Sequence, residues 1–127
     1  MGRVVHFEIH ADDPGRAADF YRSVFGWEIS KWDGPVDYWL VGTGPDDKPG
    51  INGAILPREG AAGGDGITAY VCSIEVDDID AALARALTAG AAPVMPKQPI
   101  PGIGWSAYAR DIEGNLFGLI QNDANVR

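Results

Sequence analysis

Asp12-Asp13, at the head of one amphipathic stretch, recurs 65 positions later as Asp77-Asp78 at the head of another. A carboxylate there can accept from the first free N–H groups of a helix, so both pairs mark helix starts. After the first pair, Pro14 suits the opening turn and Gly26 the end, while Ala17, Phe20, Tyr21, Val24 and Phe25 form one apolar stripe. After the second, Ile79, Ala82, Leu83, Ala86 and Leu87 form another, closed by Gly90. Gly53-x-Ile55 and Gly118-x-Ile120 repeat at the same offset of 65. Matching offsets at both ends of a segment predict two copies of one fold unit.

Short runs rich in β-formers and bounded by Gly, Pro and Asp surround each helix. "RVVHFEIH" precedes the first helix, and "GWEISKW", "VDYWLVGTG" and "PGINGAIL" follow it. "ITAYVCSIEV" precedes the second, and "AAPVMPKQ", "GWSAYARD" and "NLFGLIQ" follow it. Both halves read β-α-β-β-β. The chain is expected to be a single domain with module one at 1–56, a Gly-rich flexible linker at 57–66 and module two at 67–127. Each half-sheet can bury one face on its helix. The two uncovered faces can then enclose a hollow.

Alternation on the first strand sends Val5, Phe7 and Ile9 to the helix and His6, Glu8 and His10 to the other face. His6 and Glu8 are candidate ligand-binding residues, and His10, at the strand's end, is expected at the surface. Glu75 is in phase with Val71 on the fifth strand. In "GWSAYARD", Ser106, Tyr108 and Arg110 share one face and are assigned to the hollow, since the alanines between them suit contact with a helix. The segment 96–105, with its three prolines, reads as a loop at the mouth.

Ten Lys and Arg against eighteen Asp and Glu give a formal charge of −8. That argues against sequence-independent binding to nucleic acid by counterion release and disfavours anionic lipid, so neither nucleic acid nor membrane is an expected partner. No apolar run reaches the roughly 20 residues needed to span a bilayer, and the N-terminus has no signal-peptide pattern. A lone cysteine, Cys72, makes no internal disulfide and reads as a small core residue. A cytoplasmic location is expected. No phosphate-cradling glycine loop precedes a helix.

The order and spacing of "HFEIHADDPGRAADFYRSVFGW", "VDDIDAALARALTAGA" and "RDIEGNLFGLIQ" resemble the vicinal-oxygen-chelate superfamily, which includes glyoxalase I, extradiol dioxygenases and bleomycin resistance proteins. The resemblance implies an α+β fold in which two βαβββ modules form a cupped, partly open mixed β-barrel with helices outside, and a homodimer. Metal-using members place one ligand on the first and last strand of each module. Carried onto this chain, those positions fall on His6, near Gly53, on Val71 and on Gly118. Only His6 has a donor side chain.

The family's metal site is therefore not expected, and no cofactor is predicted. Glu8, His10 or Glu75 could serve only a displaced divalent-metal site. The resulting expectation is a bleomycin-resistance-like protein that binds a small organic molecule among His6, Glu8, Glu75, Ser106, Tyr108 and Arg110. The alternative is a lyase, isomerase or dioxygenase-type enzyme, with a displaced metal or with metal-free acid–base chemistry using Glu8, His6 and Tyr108. Glyoxalase I activity itself is not expected.

Overall fold

A computed structural model describes residues 2–62 and 64–127. The elements run β1 (Arg3–Ala11), α1 (Pro14–Phe25), β2 (Glu28–Lys31), β3 (Trp39–Gly42) and β4 (Asn52–Pro57) in the first module. In the second they run β5 (Val71–Glu75), α2 (Ile79–Thr88), β6 (Ala92–Ile100), β7 (Gly104–Arg110) and β8 (Leu116–Asn122). This is the expected βαβββ pattern, twice. His6–Tyr70 form one compact unit, and Val71–Arg127 with residues 2–5 form the other.

In the first unit the strand order is β2-β3-β4-β1, with β4 parallel to β1 and the other neighbours antiparallel. Asp13 caps α1 by accepting from Arg16 N–H at 3.1 Å, and Gly26 ends the helix in the left-handed conformation at φ 70°. Phe7, Ile9, Ala11, Ile29, Val41 and Ile55 form the core beneath it with Ala18. The stripe that meets the sheet is not the one the apolar spacing predicts. Pro14 and Ala18 are the buried helix positions, with Ala17 and Tyr21 packed beside them. Small side chains bring the helix close to the sheet, leaving Phe20, Val24 and Phe25 at 57%, 54% and 60% exposure. Tyr21 instead stacks on Trp27, with ring centres 4.8 Å apart.

In the second unit the order is β5-β8-β7-β6, with β8 parallel to β5 and antiparallel to β7. Asp78 caps α2 through Ala81 N–H at 3.0 Å, as Asp13 does in α1. Ile79, Ala82, Ala107 and Leu119 are the buried core, with Ile74, Leu83, Trp105 and Phe117 against it. The alanine face of β7 therefore meets the helix, as expected. Residues 96–100 are strand rather than loop; only 101–103 form the turn into β7. Pro93, Pro96 and Pro99 lack an N–H, and β6 tolerates them as the terminal strand of this order, with register shifts after Pro93 and Met95.

The paired aspartates are structurally equivalent, but the paired glycines are not. Gly53 is the partner of Phe7, whereas Gly118 is the partner of Ser73. Equivalence by register would have placed Gly53 opposite Glu8, the counterpart of Ser73. The position that matches Gly118 is Ala54, which pairs with Glu8. Gly53 accordingly lies on the helix side, where an added Cβ would run into the Phe7 carbonyl and ring.

Arg58 ties the segment after β4 back onto β1. Its guanidinium donates to Asp12 at 2.7 Å, to the His10 carbonyl at 3.0 Å and to the Ile67 carbonyl at 2.8 Å. Its own N–H donates to the Ala11 carbonyl at 2.8 Å. The Ala61 carbonyl accepts from both Gly64 and Gly66 at 2.9 Å. Gly63, within the predicted linker, lies outside the described residues.

Candidate functional site

The sheet face of the first unit that points away from α1 carries the site. Alternation puts His6, Glu8 and His10 of β1 there, with Asn52 and Ala54 of β4 and Leu40 of β3 as their neighbours in register. Tyr38, just before β3, continues the Leu40 face. The Trp32 N–H donates to the Tyr38 carbonyl at 2.7 Å, and the Trp32 ring meets the Tyr38 ring edge-on at 6.2 Å, so the 32–38 loop sets the phenol's direction.

Glu8 is 4% exposed, a carboxyl taken almost wholly out of water. Such a group needs hydrogen-bond donors. Tyr38 supplies one: its hydroxyl donates to Glu8 Oε2 at 2.8 Å. The same hydroxyl oxygen lies 2.9 Å from His6 Nε2, with the two rings nearly parallel at 13°. His6, Tyr38 and Glu8 thus form a continuous hydrogen-bonded chain. Burial holds the His6 pKa below its ordinary 6.5, partly offset by the nearby Glu8 carboxylate, so the imidazole is neutral at pH 7.

A depression of about 530 Å³ opens on this face, lined by His6, Glu28, Ser30, Leu40 and Asn52 among others. No Lys or Arg is among the lining residues. Asn52 Oδ1 accepts from the Thr43 N–H at 3.0 Å. Glu28, Ser30, Tyr38, Leu40 and Asn52 are the residues that sequence reasoning left out of the site. The alternation that pairs Tyr38 with Leu40 opposite Trp39 and Val41 was the available signal for Tyr38.

The remaining candidates lie as follows. His10 is partly buried rather than fully at the surface; burial lowers its pKa, with opposing effects from Glu8 and Glu59 and a further lowering by Arg58. Glu75 is exposed and accepts from Asn122 Nδ2 at 2.6 Å. Ser106, Tyr108 and Arg110 occupy the β7 face opposite the α2 core, facing Ile120, Gly118 and Leu116 across β8. The Tyr108 ring, with Ser73 Oγ, fills the space a side chain at Gly118 would need. Arg110 turns to the hairpin, donating to the Gly114 carbonyl at 3.0 Å. Cys72 is a free, partly buried thiol.

The donor set does not fit the superfamily's divalent ion. The β4 residues that share the His6 face are Asn52 and Ala54, not Gly53, so alanine now stands among the unsuited positions beside Val71 and Gly118. Among the described residues, no group of three or more His, Cys, Asp or Glu side chains could hold a metal. At His6 itself, Nε2 already faces the Tyr38 hydroxyl.

Residues 3–44 match the family described as bleomycin resistance protein-like N-terminal. No curated protein matches the chain by sequence. Among solved structures, a Streptomyces coelicolor methylmalonyl-CoA epimerase variant in complex with 2-nitronate-propionyl-CoA is similar at 21% identity and a TM-score of 0.68, covering 96% of this chain and 98% of that one. The Mycobacterium tuberculosis methylmalonyl-CoA epimerase is similar at 17% identity and a TM-score of 0.68, covering 94% and 87%. A glyoxalase/bleomycin resistance protein/dioxygenase superfamily member from Vibrio splendidus 12B01 is similar at 19% identity and a TM-score of 0.64, covering 97% and 100%. Neither helix of the described chain is long and apolar enough to cross a membrane. The chain has the fold seen in the glyoxalase/bleomycin resistance protein/dioxygenase superfamily, and its residues 3–44 are similar to the bleomycin resistance protein-like N-terminal family.

Proposed function

We propose that this protein binds a small organic molecule on the His6–Tyr38 face without the four-ligand metal centre of its superfamily. The observation that carries this reading is the His6–Tyr38–Glu8 chain beside the depression. One ring nitrogen of the first-strand histidine is engaged by a phenol, and among the described residues the face offers no group of three or more donors that could hold a metal. The bleomycin-resistance-like match over residues 3–44 supports a binding protein. A net charge of −8 would draw cationic ligands toward it. We further propose a cytoplasmic homodimer.

The similarity to methylmalonyl-CoA epimerases favours a second reading, metal-free acid–base catalysis with Glu8 as base and His6 as its partner. Against the same thioester substrate stands the lining of the depression, which has no Lys or Arg for the phosphates of a coenzyme A ester.

The test is an amide NMR titration in EDTA with metal-free bleomycin and, separately, methylmalonyl-CoA. Saturable shifts at His6, Ser30, Leu40 and Asn52 with bleomycin are the expected result. Turnover of methylmalonyl-CoA that is abolished in Glu8→Gln would replace the binding reading with the catalytic one.

A further inference from the structure

We propose that Tyr38 and Glu8 fix the polarity of His6, so that the depression selects ligands that bring an N–H or O–H donor to His6 Nδ1. The proposal rests on the reading of this face as a ligand site and names the chemistry it takes.

A phenol has one proton, and Tyr38 gives it to Glu8 Oε2 at 2.8 Å. Only lone pairs of the Tyr38 oxygen remain for His6 Nε2 at 2.9 Å, so Nε2 must carry the hydrogen of that bond. A neutral imidazole protonated at Nε2 has a bare Nδ1, which can only accept. Burial keeps the ring neutral.

Nδ1 makes no hydrogen bond among the described residues. No buried side-chain nitrogen or oxygen among them lacks a partner, so an unbonded Nδ1 has to reach solvent. His6 lines the depression, and we assign the exposed acceptor to that side of the ring. A ligand atom that is itself only an acceptor would meet Nδ1 lone pair to lone pair. Reversing the tautomer to suit it would leave two acceptors facing each other between Nε2 and Tyr38, unless Tyr38 withdrew its proton from buried Glu8.

Two measurements test this. Long-range ¹H–¹⁵N spectra of the unmodified protein at pH 7.5 should show His6 protonated at Nε2 and bare at Nδ1. Tyr38→Phe should abolish that preference or weaken it. Indole and benzofuran are neutral isosteres that differ in the ring N–H, so their titration isolates the donor from charge and size. Indole should bind this face about three- to tenfold more tightly, the range one hydrogen bond supplies, and His6→Phe should bring the ratio to about one by the same reasoning.

A His6 ring protonated at Nδ1 in the unmodified protein overturns the proposal. Equal binding of the two probes at this face also overturns it, while leaving the binding-site reading intact. If neither probe shifts any residue of the depression, the binding-site reading fails and takes the proposal with it.

Discussion

Tyr38 donates its hydroxyl proton to Glu8 across 2.8 Å, joining a residue from a loop to a carboxyl that is 4% exposed. Removing that hydroxyl takes a donor from a buried carboxylate and the partner from His6 Nε2. Tyr38→Phe is expected to lower unfolding free energy by about 1–3 kcal/mol, measured by urea denaturation at pH 7.5. A loss within experimental error would mean that the chain of hydrogen bonds is not formed in solution.

Stability should depend on pH through His6. Burial depresses its folded pKa below the 6.5 of the unfolded chain, and Glu8 only partly opposes this. The unfolded chain therefore takes up a proton at a pH where the folded one does not. The contribution is whole above about 6.5 and is lost as pH falls through the lower folded value. Denaturation midpoints should drop between pH 7.5 and 5.5, and less so in His6→Asn. The His10 pKa is also lowered, so some dependence should survive in that variant.

Gly53→Ala tests the register of β4. Its Cβ would meet Phe7 main chain and ring, and backbone at that position cannot swing away. A cost of about 1–3 kcal/mol is expected, in the range of core overpacking. Were Gly53 on the His6 face, the same change would cost almost nothing.

Much of the fold was legible in the chain. Alternation placed Phe7 and Ile9 under α1 and Ala107 under α2, and the aspartate pairs located both helix starts. The glycine repeat misled because identity of residue type does not fix register: a one-residue difference between the β1–β4 and β5–β8 pairings moves every side chain to the other face. The α1 stripe misled because Phe20, Val24 and Phe25 share the helical spacing of core positions while the alanines make the close contact. Alternation with Leu40 gives the face of Tyr38, but its reach to Glu8 and His6 depends on the 32–38 loop, held by Trp32. Loop geometry leaves no period in a sequence.

Arg58→Lys should destabilise the protein by about 1–3 kcal/mol despite keeping the charge. An ammonium cannot reach Asp12 and the His10 and Ile67 carbonyls from one fork. Native-state hydrogen exchange should report faster exchange at Arg58, whose N–H bonds the Ala11 carbonyl, and unchanged exchange in β7 and β8.

Metal analysis of protein purified without chelator tests the reading of the site most directly. With no group of three or more His, Cys, Asp or Glu side chains among the described residues able to hold a metal, Ni, Zn, Fe, Co and Mn should each be far below one equivalent, and EDTA should leave the denaturation midpoint unchanged. Near-stoichiometric metal that disappears in the His6→Ala, Glu8→Ala double variant would contradict it.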